Sequence, residues 1–288
     1  CELVKGLRKH FEQQVTQIFS AYVNRMLEEY RGNPKQNWRS KDVALFLVSA
    51  LTISRQTASH GATALNELVP LAGFLASEVL PELESFPNNH PVVQADVLKF
   101  VTVFRAHVPA SVYNALLAVF AKMLQSDVYV VHTYAAHALD RYLAMRHDGQ
   151  PRIGDEWRSV LGPALTGCFA LLQKPESSCN EYVIRAVWRM LQRAKEAVVP
   201  LAKDVLDALS RVLLSVAKNP VNPNFNRYLF ESLGSLIRNV GAANPAAVAQ
   251  CEELLFPVFQ HILTEDVAEF TPFVFQLMGL LLQLRPDG

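Results

Sequence analysis

Three arginines, Arg185, Arg189 and Arg193, recur at i, i+4 and i+8 in the stretch NEYVIRAVWRMLQR (180–193). On a helix this spacing sets three guanidinium groups along one side, where each can fork onto a partner carboxylate. The other side carries Ile184, Val187, Trp188 and Leu191 at i, i+3, i+4 and i+7, the apolar stripe of a helix with one buried face. The same arginines also fit a plain solvated helix face, and spacing alone leaves both readings open. Arg227 and Arg238 downstream, with Lys99 and Arg105 upstream, would extend the cationic surface if they face the same way.

Bond-making chemistry has little to stand on. No GxxxxGK[ST] stretch is present, and no GxGxxG follows a strand, so phosphate cradling by a glycine loop has no support. His132 and His137 lie five residues apart, on different sides of a helix, and cannot share a metal as an i, i+4 pair can. The four cysteines, Cys1, Cys168, Cys179 and Cys251, form no CxxC pair, which argues against a zinc site or a disulfide framework and for a reducing compartment. Cys168 sits on an apolar helical face and is expected in the core; Cys179 follows a Pro-Glu-Ser-Ser loop. Glu28–Glu29 and Glu252–Glu253 read as solvated helix faces. No catalytic residue, metal or cofactor is expected.

The elements that must position the arginines are helical. In DVYVVHTYAAHALDRYL (127–143), Val131, Tyr134, Ala135, Ala138, Leu139 and Tyr142 follow the same helical stripe, no segment alternates convincingly with period two, and hairpin dipeptides such as Asn-Gly are missing. Breaks near 32–38, 55–62, 85–91, 107–110, 147–154, 174–180, 219–224, 241–245 and 265–269 carry Gly, Pro, Asn or Asp. Asp127 and Asp155 are expected as N-caps, and Pro91, Pro109 and Pro245 as first-turn prolines. About twelve helices follow, after a leading helical fragment at 1–10.

These helices pair. Second members beginning near 40, 91, 127, 181, 224 and 268 give spacings of 51, 36, 54, 43 and 44 residues, near the roughly 40–47 of helical-hairpin repeats of the HEAT or armadillo type. Pro163, Pro200 and Pro257, with Pro70 in a similar context, recur in the first helices, as bends inside them or as helix starts. The expected fold is all-α: a right-handed α-α superhelical solenoid of about six antiparallel HEAT pairs, one continuous segment over 1–288 and not two domains. A start without Met and an end after a helix-like run suggest a piece of a longer protein.

Composition limits the partners. Lysine plus arginine and aspartate plus glutamate both number 27, so there is no net charge, which disfavours nucleic acid as a partner. The apolar runs at 43–53 and 273–284 are shorter than the roughly 18–20 residues that cross a bilayer, so they are read as buried helices and membrane insertion is not expected. Charge does sort by helix: the first helices of the pairs sum to −6 and the second to +5. If second helices line the concave face, that face is mildly basic and suits an acidic partner.

Several long stretches then carry a resemblance: VVHTYAAHALDRYLAMR (130–146), AKNPVNPNFNRYLFESLGSLIR (217–238), ANPAAVAQCEELLFPVFQHIL (243–263) and DVAEFTPFVFQLMGLLL (266–282). With CELVKGLRKHFEQQVTQIFSAYVNRMLEEY (1–30) and NELVPLAGFLASEVLPEL (66–83), they resemble the central HEAT repeats of the importin-α re-exporters, the CAS-type exportins of the importin-β superfamily. The likeness spans essentially the whole chain; 84–90 and the loop 147–156 depart from it. It implies a non-enzymatic receptor that shuttles between nucleus and cytoplasm. Such a receptor binds importin-α cooperatively with Ran-GTP and passes nuclear pore proteins; the GTP hydrolysis belongs to Ran. The alternative is another HEAT scaffold, such as a different karyopherin or a phosphatase scaffold subunit. The resemblance assigns no particular residue to any partner.

Overall fold

A computed structural model describes residues 2–285; Cys1 and the 286–288 tail lie outside the described residues. The described chain is all-α apart from two short hairpins and packs as two compact units, the first ending at Ile153 and the second beginning at Gly154.

In the first unit, α1 (Glu2–His10) leads into the pair α2 (Glu12–Gly32) and α3 (Trp38–Thr52). The next first helix is a composite of α4 (Leu71–Phe74), a π-helical turn (Leu75–Val79) and α5 (Leu80–Glu84), and it pairs with α6 (Pro91–Val103). Pro81 lacks the N–H that the preceding turn would use, and the backbone widens just ahead of it. The third pair is α7 (Tyr113–Met123) with α8 (Tyr129–Leu143), and the second helices α3, α6 and α8 pack in succession. In the second unit the pairs are α9 (Leu161–Leu172) with α10 (Glu181–Ala194), α11 (Ala202–Ala217) with α12 (Pro223–Ala243), and α13 (Val248–Thr264) with α14 (Thr271–Leu284). Here α10, α12 and α14 pack in succession, as do α9, α11 and α13. The six HEAT-type pairs expected from the spacing are all present among the described residues.

Local chemistry explains the starts of three second helices. Asn180 caps α10 by accepting from the Tyr182 and Val183 amides, and Asn222 caps α12 by accepting from Phe225, with Pro223 in the first turn. Pro91 opens α6 as expected, with His90 Nδ1 accepting from the Val92 amide. The aspartate caps are corrected. The cap position of α8 is Val128, and Asp155 lies inside a 3-10 turn (Asp155–Val160) where its carboxylate pairs with Arg158 at 3.3 Å. The proline bends are corrected in part: Pro200 falls in the 3-10 turn before α11 and Pro163 in the first turn of α9, whereas Pro257 lies well inside α13.

Two short hairpins interrupt the otherwise all-α chain, where the sequence pattern predicts no strand. β1 (Ile53–Thr57) pairs antiparallel with β2 (Gly61–Leu65) between α3 and α4, and β3 (Arg146–His147) pairs with β4 (Gln150–Pro151). The second turns on Asp148-Gly149, both at positive φ; Asp-Gly is itself a hairpin dipeptide, which corrects the expectation that none is present. The first has irregular register and is held from outside by Arg8, which donates to the carbonyls of Leu51 and Ile53, while Asn66, directly after β2, donates to Leu51 O of α3. Gly61 has φ +77°, and a Cβ there would sit 2.1 Å from the Val103 carbonyl oxygen. Gly61→Ala is therefore expected to lower stability by more than about 1–2 kcal/mol, because the left-handed backbone penalty adds to that clash. A urea midpoint within error of wild type would contradict this.

Burial follows the helical stripes: Val131, Ala135, Ala138, Leu139 and Tyr142 of α8 are buried, while Tyr134 is half-buried. Tyr142 meets Tyr113 and Phe120 edge-on at 5.0 and 5.1 Å, and its hydroxyl donates to Val101 O at 3.1 Å. The apolar α14 is less enclosed than expected. Val274, Leu277 and Leu281 are buried, but Phe275 and Leu282 are exposed. No described helix is long and apolar enough to cross a membrane.

Candidate functional site

The α10 helix presents its buried side, Val183, Ile184, Val187, Met190 and Leu191, to its neighbours, and its polar side carries Arg185, Arg189 and Arg193, all half-exposed. Trp188 departs from the expected stripe. It sits half-buried at the border between the two sides, where its ring meets Tyr228 of α12 at 5.2 Å. Around this aromatic pair the arginines gather. Arg189 lies over the Trp188 ring at 4.4 Å, and Arg185 and Arg227 lie 5.4 and 5.8 Å from the Tyr228 ring. A guanidinium over an aromatic face is attracted by the ring quadrupole and loses part of its rotamer freedom. Arg189 also donates to Gln192 Oε1 at 2.6 Å. The side-by-side packing of α10 and α12 thus joins two arginine groups that are more than thirty residues apart in sequence.

Arg238 is exposed on α12, eleven residues beyond Arg227 and so about 16 Å along the same side of that helix. Its guanidinium packs back over Gly234, where a Cβ would meet it at an ordinary contact distance of 3.4 Å.

The upstream cations belong to the first unit and are not equivalent to one another. Lys99 is exposed on α6 beside a cavity of about 260 Å³ whose lining includes Asp42, Asp96, Phe46 and Phe100. Arg105 is a correction: it is only 3% exposed, and it donates to Thr102 O at 2.6 Å and to Ala58 O at 2.8 Å. Burial and the neighbouring Arg141 lower its pKa to about 10. It fastens the first hairpin and presents no cationic surface.

The remaining candidates settle as packing. His132 is buried with Nδ1 donating to the Ser126 carbonyl at 2.9 Å. Burial pushes the Cys168 thiol up to about 12, and burial with Glu252 raises that of Cys251, which disfavours the thiolate form of both; Cys179 is half-buried. Among the described residues no group of three or more His, Cys, Asp or Glu is placed to hold a metal. Glu252 is not merely solvated, since Arg285 donates to its carboxylate.

Sequence reasoning missed the aromatic half of the surface. A usable signal existed: an arginine adjoins an aromatic residue on each of two consecutive second helices, Trp188–Arg189 and Arg227–Tyr228.

A family model described as CAS/CSE protein, C-terminus, matches residues 140–288, and one described as Cse1 matches residues 1–139. Exportin-2 of Homo sapiens is 44% identical over 290 residues covering 100% of this chain, and exportin-2 of Xenopus laevis is 43% identical over 288 residues covering 99%. The chain spans 30% of the length of these relatives. A solved structure of the exportin Cse1 in its cargo-free, cytoplasmic state is similar with a TM-score of 0.84 at 29% identity, covering 98% of this chain and 30% of that one.

Proposed function

Because the chain belongs to the CAS/CSE family, we propose that it forms part of a karyopherin-type nuclear export receptor, a protein-binding scaffold and not an enzyme, with all six helix pairs in one repeat array. The observation that carries this reading is the 43–44% identity to exportin-2 along the whole chain. The full-length protein carries importin-α from nucleus to cytoplasm together with Ran-GTP and shuttles between the two compartments. Many small shifts between repeats can change the pitch of such an array. Two partners that favour the same arrangement then bind with reciprocal coupling.

Passage through pores requires contact with pore proteins, and the second unit offers suitable places. A groove of about 520 Å³ between α9 and α11 has Phe169, Leu172 and Val212 in its lining, and one of about 490 Å³ between α11 and α13 has Val199, Leu206 and Leu254. Each can take an apolar side chain from an unstructured pore segment.

The test is co-precipitation with the full-length protein carrying this chain. Importin-α is expected to raise Ran-GTP retention about 5–150-fold, the usual range of coupling between sites, with the reciprocal effect of Ran-GTP on importin-α and none with Ran-GDP. Independent binding of the two would overturn the reading. The 288-residue stretch alone is expected to bind Ran-GTP weakly or not at all; tight, nucleotide-selective binding by it would relocate the Ran contact.

A further inference from the structure

We infer that the arginine–aromatic surface of α10 and α12 is a docking track for an extended acidic peptide whose carboxylates alternate with other residues. This holds whichever cargo the receptor carries. Arg185, Arg189 and Arg193 follow one another every four residues, a rise of about 6 Å per step on a helix. In an extended chain, side chains on one face recur every second residue, about 6.6 Å apart. The two repeats therefore stay in step over three positions, and a Glu-x-Glu-x-Glu segment lying along α10 meets one guanidinium per carboxylate.

The aromatic pair distinguishes this surface from an ordinary charged helix face. Trp188 and Tyr228 carry Arg189, Arg185 and Arg227 against their rings, so part of the ordering cost of these long side chains is met before a partner arrives. Each arginine of the α10 stripe has contacts within the chain, and an incoming carboxylate adds to or exchanges with them. Charge balance favours a peptide over nucleic acid. The chain is neutral overall and the second helices sum to only +5, which suits a short local run of carboxylates better than a long phosphate backbone.

The experiment titrates the full-length protein carrying this chain into a fluorescein-labelled peptide alternating glutamate with serine. A peptide of the same composition with its glutamates consecutive, and an oligouridine of equal charge, serve as comparisons. We expect saturable, salt-sensitive binding that prefers the alternating peptide, and a loss of at least about tenfold in R185Q/R189Q/R193Q, since charge-assisted bonds are the strong ones. R185K/R189K/R193K keeps the charge and the helix but loses the planar fork. It is expected to bind both peptides alike, and it reads the proposal even if the glutamine variant folds poorly. Equal binding of the two peptides by the wild type, undiminished binding by a folded glutamine variant, or tighter binding of oligouridine would each overturn the inference.

Discussion

Lys41→Ala is expected to lower the stability of the first unit by about 3–5 kcal/mol, the usual effect of stripping one partner from a buried ion pair. Lys41 lies on α3 and is 2% exposed; its ammonium donates to Glu78 on the π-helical turn at 2.7 Å and lies 3.5 Å from Glu82 on α5. Arg31 of α2 also donates to Glu78, and the Tyr30 ring lies 5.1 Å from the Lys41 ammonium. One cation thus ties a helical pair to the first helix of the next. Without it Glu78, itself 6% exposed, keeps only the partner from solvent-facing Arg31. A compensating change checks the cause: K41M/E78L removes both charges and is expected to recover most of the loss. A double variant as unstable as K41A would show that the loss is one of packing.

The pH dependence has a definite sign. Burial raises the Glu78 pKa, but the bonds from Lys41 and Arg31 outweigh it and leave the carboxyl below its ordinary value. A depressed carboxyl stabilises the fold above its unfolded pKa of about 4.3, and that contribution is lost as pH falls through the folded value. The wild-type melting temperature should therefore drop more steeply below about pH 4 than that of K41M/E78L.

Asp96→Asn is expected to act in the opposite direction, stabilising the protein at pH 7 and above by roughly 2 kcal/mol. Burial first, then the facing carboxylate of Asp42, pushes the Asp96 carboxyl up to about 7, against the lowering effect of Lys99. The folded state holds a proton that the unfolded chain releases near pH 4, so wild-type stability falls between about pH 4 and 7 and is level above. The full shift corresponds to on the order of 4 kcal/mol at 1.36 kcal/mol per pH unit, and partial solvent contact reduces it. Chemical denaturation across that window should show the wild-type slope and its absence in the asparagine variant. An equal slope in both would remove Asp96 as its source.

The helix pairs were legible because their causes are local. Second helices expected near 40, 91, 127, 181, 224 and 268 begin at 38, 91, 129, 181, 223 and 271, since asparagine and proline punctuation and the 3.6-residue stripe act within a few residues of each other. The first hairpin was not legible. Its strands do not alternate, and it is secured by Arg8 and Arg105 reaching from elsewhere in the chain. Arg105 was misjudged for the same reason, since its charge is visible in the sequence and its burial is not.

Residue types and spacing by themselves determined that this protein is a set of paired amphipathic helices, that α10 bears an arginine stripe, and that no familiar catalytic motif is written along it. Only the tertiary structure decided that Trp188 leaves the core stripe to meet Tyr228, that Arg227 joins Arg185 and Arg189 around that pair, and that Lys41 and Asp96 are enclosed with carboxylates. The physical reason is range. Capping and periodicity are settled within one or two turns of a helix, whereas desolvation and cation–aromatic contact depend on which distant segment lies alongside.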